Sequence, residues 1–220
     1  MKGERNESHF SDGHSSQSVD GRMIVTDGPG HAMSPPVQEP CYRSFWKITS
    51  TREVPELGPG PRRGVLPRRE LEARLDVWAT EQELDPDAAT RLRASALLYH
   101  DHHDAAHDIV QDLNDVEGAL IHGILHRREP DYWNAKYWLR RAEAHPIYVA
   151  LGRRLPQLVL NAEQQALAKQ LTLPGAFEPL AFVDLCEETE RRPALDPSVV
   201  WLRQVQHAEF EELVRFLVED

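Results

Sequence analysis

The sequence has little of what usually identifies a function. Its 220 residues include only two cysteines, Cys41 and Cys186, too few for the disulfide framework of a small secreted domain. No apolar run approaches the ~18 residues of a membrane span, and the N-terminus lacks the apolar core of a signal peptide. These absences predict a soluble, cytoplasmic chain. Positive charge is in deficit: 25 Lys+Arg stand against 36 Asp+Glu, a formal net charge of −11. Such a balance argues against nucleic-acid binding and against attachment to anionic membranes, both of which need positive fields. There is no Gly-x-Ser-x-Gly elbow, no phosphate-binding P-loop and no dinucleotide glycine fingerprint. Cys186 sits among Phe182, Val183 and Leu185 on a predicted amphipathic helix, which reads as core and not as a nucleophile.

What is present is unevenly distributed. Residues 1–67 hold 8 of the 16 prolines and 8 of the 12 glycines, and their 8 basic and 8 acidic residues cancel. Met1–Val37 shows neither a helical nor a strand period, so the segment cannot bury enough apolar surface to offset its ordering entropy. Residues 1–67 are therefore expected to be a poorly ordered extension, with Met23 or Met33 as alternative starts. Cys41–Thr51, with Phe45, Trp46 and Ile48, is expected to dock as a short extended arm. Residues 68–220 carry the whole −11 and read as successive helices. Leu71, Leu75 and Trp78 mark one over Arg68–Glu83. Asp85-Pro86 starts another, running to about Asp112. Asn114 with Glu117 suggests a capping box for the next, which ends before Pro130. Asp131 caps a helix to about Ala144, shorter helices follow at 147–154, 161–171 and 179–191, and Asp196-Pro197 opens the last. No strand signal matches these. The predicted fold is all-α, a multi-helix bundle or helical-hairpin array.

Seven of the 11 histidines fall between residues 100 and 145. At 100° per residue, Leu92, Ser95, Tyr99, Ala106 and Val110 make the core stripe of the 86–112 helix, and His100, His103 and His107 share one edge of it. On the following helix His122 and His126 sit at i, i+4 beside Gly118, Ala119 and Gly123, which let a neighbour approach closely. With the hairpin turn near Leu113, His103 lies level with His122, and His100 with His126. Imidazoles at matched depth make a geometry that can chelate a divalent metal, zinc or iron. The candidate ligands are His100, His103, His107, His122 and His126. His102 and His145 read as structural or exposed.

The stretch from His126 to Arg141 is the most basic part of the acidic domain, with Arg127, Arg128, Lys136, Arg140 and Arg141 interleaved with Tyr132, Trp133, Tyr137 and Trp138. Cations beside aromatics suit a small anion, and Arg127, Asn134, Tyr137 and Arg141 are the candidate ligand-binding residues. The segment H-x-x-x-H-R-R-E-x-D-Y-x-N-A-K-Y-W-x-R, from His122 to Arg140, resembles an uncharacterised family of small all-helical proteins from bacteria and fungi. Gln204–Phe210 is similar to that family's last helix. The resemblance covers about residues 84–217 and implies a helical fold and a domain boundary. It implies no activity. The His-Asp dipeptides also resemble those of metal-dependent phosphohydrolases, but the distant His and Asp partners are not placed as that family requires. Two functions remain open: a divalent-metal site binding or acting on a small anionic ligand, and a helical protein-interaction module without catalysis.

Overall fold

The computed structural model describes residues 40–60 and 62–219; the expectations for residues 1–39 lie outside that range. Among the described residues the fold is all-α apart from one tiny hairpin. The helices are α1 (Cys41–Thr49), α2 (Arg68–Glu81), α3 (Pro86–Tyr99), α4 (His103–Val110), α5 (Val116–Arg128), α6 (Tyr132–Arg141), α7 (Pro146–Arg154), α8 (Ala162–Gln170), α9 (Pro179–Thr189) and α10 (Pro197–Glu219). Strands β1 (Thr172–Leu173) and β2 (Ala176–Phe177) pair antiparallel. Pro174 and Gly175 form the turn between them, and Gly175 takes the positive φ that its second central position demands. None of the helices is long and apolar enough to cross a membrane.

Local chemistry places most boundaries. Asp85 accepts from the Asp87 and Ala88 N–H groups, at 2.9 and 3.3 Å, and Pro86 sits at the first helical position. Asp115 caps α5 by accepting from Gly118 N–H at 2.6 Å, one residue beyond the Asn114 that the spacing suggests. Asp131 caps α6 through Asn134 N–H at 3.3 Å. α10 is buried along most of its length, and α1, α3, α7, α8 and α9 all pack on it.

Three expectations are corrected. The predicted 86–112 helix is two helices, broken at His100–His102, where Asp101 adopts φ +63°. Tertiary contacts pin this corner. Asp101 lies between Arg128, at 2.7 Å, and Arg62, at 3.2 Å, and the Arg62 and Arg128 guanidinium groups also donate to the Tyr99 and Leu98 carbonyls. Next, Cys41–Thr49 is helical and not extended: Tyr42, Phe45, Trp46 and Thr49 recur at helical spacing, and Phe45 packs edge-on against Trp78 with centroids 5.3 Å apart. Finally, the packed body begins well before residue 68. Residues 40–66 cover the α2, α3 and α10 faces. Trp46 meets Tyr99 and His207, and Arg203 and Gln206 donate to the carbonyls of Val54 and Glu56 at 2.8 and 2.9 Å. The Gly and Pro content of this stretch produces an irregular but anchored chain.

Candidate metal centre

Three of the five candidate histidines converge. His107 of α4 and His122 and His126 of α5 each offer a ring nitrogen, and these atoms lie within 4.8 Å of one another. His107 Nε2 lies 3.3 Å from His122 Nε2. Two imidazole nitrogens at that distance share either one proton or one ion. Tetrahedral zinc, with Zn–N of 2.0–2.1 Å, sets its ligand atoms roughly 3.3–3.4 Å apart.

The surroundings fix each ring. His122 stacks on Trp138 of α6, with centroids 4.0 Å apart and planes 14° from parallel, and on its other neighbour His126 at 4.7 Å. His126 Nδ1 faces Glu129 Oε2 at 3.2 Å, and its Nε2 accepts from Asn134 Nδ2 at 3.1 Å. The carboxylate favours the proton on Nδ1, which directs the Nε2 lone pair elsewhere, the arrangement seen where a carboxylate orients a metal-binding histidine. The nearby His126 imidazole holds the Glu129 carboxyl below its ordinary value. Burial, then the positive character of His126 and His107, drives His122 down to about 4. His122 is therefore neutral at pH 7, the form that can ligate. Its Nδ1 is buried without a hydrogen-bond partner.

α6 reaches this cluster because of Gly123. The contacts His122–Trp138 and His126–Asn134 run in opposite senses, so α5 and α6 are antiparallel. A Cβ on Gly123 would lie 2.6 Å from Leu139 Cγ and 3.1 Å from the Leu139 backbone nitrogen. Only the missing side chain lets the helices meet this closely.

The other candidates fall elsewhere. His100 is a structural tie. Its Nδ1 accepts from Leu66 N–H at 3.0 Å and its Nε2 donates to the Thr49 carbonyl at 2.7 Å, so neither nitrogen is left for a metal. Burial pushes it down to about 4. His103 is not in the triad; with Glu129 it lines a neighbouring cavity of about 690 Å³, and both of its ring nitrogens lack hydrogen-bond partners. The register explains these shifts. His107, not His103, faces His122, because the turn centres near residues 114–115 and moving the centre two residues moves the partner one helical turn.

Of the four candidate ligand-binding residues, only Asn134 stands at the histidines. Arg127 is 0 % exposed, forms a double ion pair with Glu209 of α10 and lies 4.2 Å over the Phe182 ring. It is a core cation and faces no ligand. Tyr137 and Arg141 sit on the outer face of α6, where Trp133 stacks on Tyr137 at 6.3 Å and Arg141 lies over Trp138 at 5.3 Å. The residues that sequence reasoning missed are Glu129, Trp138 and Glu209. Glu129 lay three residues past a candidate ligand, and Glu209 interrupts the apolar stripe of Val205, Phe210 and Leu213; both are signals of a partnered carboxylate. The chain matches no protein-family model, no curated protein sequence and no solved structure.

Proposed function

We propose that this protein holds one divalent transition-metal ion, zinc or iron(II), at His107, His122 and His126, and that the ion binds a small anionic ligand. The 3.3 Å approach of two Nε2 atoms, with a third imidazole nitrogen within 4.8 Å, carries this reading. Imidazole ligands suit zinc and iron, and burial keeps His122 neutral. With Arg127 committed to Glu209, the positive charge for an anion comes from the ion. Such an ion supplies Lewis acidity, the chemistry of metal-assisted hydrolysis.

Metal analysis after loading with Zn(II), and anaerobically with Fe(II), tests the reading. One ion per wild-type chain is expected, abolished in the His122→Ala/His126→Ala variant and retained in His103→Ala. A wild-type chain that takes up neither ion, or a double variant that still holds one, overturns it. The rival reading, an interaction module, draws on the solvent-facing Trp133 and Tyr137, 79 % and 44 % exposed. A metal-free, fully folded protein favours that alternative.

A further inference from the structure

Among the described residues, only one nitrogen of His126 has a hydrogen-bond partner. Glu129 faces Nδ1 and Asn134 donates to Nε2. An ion held through His126 Nε2 requires the lone pair that Asn134 already holds. This placement is built into the fold: Asp131 accepts the Asn134 backbone N–H, and the bare Gly123 brings α6 against α5. An ion on Nε2 and an amide N–H aimed at the same atom repel each other, since both present positive charge. Half a turn about the last Asn134 torsion exchanges Nδ2 for Oδ1 and turns the conflict into a bond, with the helix unmoved.

On this basis, and resting on the metal reading above, we propose that Asn134 is the fourth protein ligand of the centre, through Oδ1. The donor set is then three imidazole nitrogens and one neutral oxygen. It suits zinc, iron(II) and cobalt(II), and offers too few oxygens for calcium or magnesium. A neutral amide oxygen is also the weakest of the four donors. It is therefore the group that an incoming anion displaces, so Asn134 closes the centre at rest and yields when ligand arrives.

Cobalt(II) titration of the full chain, with a competing chelator and visible spectroscopy, tests this. Asn134→Ala is expected to weaken cobalt binding about 10-fold or more. It should also admit a water, so that the cobalt spectrum changes with pH near neutrality as that water ionises, whereas the wild-type spectrum stays flat. Asn134→Asp, which places a carboxylate oxygen where the amide oxygen stood, should bind at least as tightly as wild type. If Asn134 acts only by donating to His126, Asp cannot replace it: both variants then bind equally weakly with wild-type spectra, which overturns the proposal. Wild-type-like binding and spectrum in Asn134→Ala also overturns it and leaves the triad standing. A wild-type chain that takes up no cobalt removes the triad itself. Circular-dichroism melts establish that each variant is folded.

Discussion

His126 and Arg127 are adjacent in sequence and opposite in role. One belongs to a cluster of imidazoles, and the other, about 100° further around α5, is enclosed by Glu209 and the Phe182 ring. The i, i+4 spacing of His122 and His126 was legible because helix geometry alone puts them on one side. The fate of Arg127 was not, because its partner lies 82 residues away. Breaking such a pair leaves a carboxylate buried without compensation, which costs about 3–5 kcal/mol, whereas replacing both partners with apolar groups of similar volume is often neutral. Arg127→Ala is expected to lower the unfolding free energy by that amount, and Arg127→Met/Glu209→Leu to restore most of it. Urea unfolding of the two variants checks both statements.

At the scale of elements, the caps were the readable part. Asp85, Asp131 and Asp196 lie at true helix starts, because a side-chain oxygen meeting an early N–H is a local event. The break at His100–His102 was unreadable for the converse reason. It is held by Arg62, Arg128 and the Leu66 and Thr49 backbone, none of them neighbours in sequence. That break set the register of α4, and the register decided which histidines meet. The α5–α6 contact is the other determinant, and Gly123→Ala tests it. The added methyl has no room against Leu139, so a loss of about 1–3 kcal/mol is expected. Zinc affinity should fall with it, as Trp138 and Asn134 move away from the rings. Thermal melts and a zinc competition titration report the two effects separately.

At the scale of the whole molecule, composition put the domain boundary at residue 68, whereas packed chain extends back at least to residue 40. Gly and Pro content reports a lack of regular structure, which differs from a lack of contacts: Arg62 is buried inside an irregular stretch. A chain beginning at Arg68 loses Phe45 from the core and uncovers Trp78 and Tyr99. Such a truncation is expected to melt markedly lower than the full chain and to self-associate, as checked by circular dichroism and size-exclusion chromatography. Sequence separation also orders the events of folding. His107 and His126 are 19 residues apart in the chain, whereas the Arg127–Glu209 and Arg203–Val54 ties span 82 and 149. Closing a short loop costs less entropy than closing a long one, and local contacts form faster. The α4–α5 hairpin can therefore gather its three imidazoles while the long-range clasps are still open.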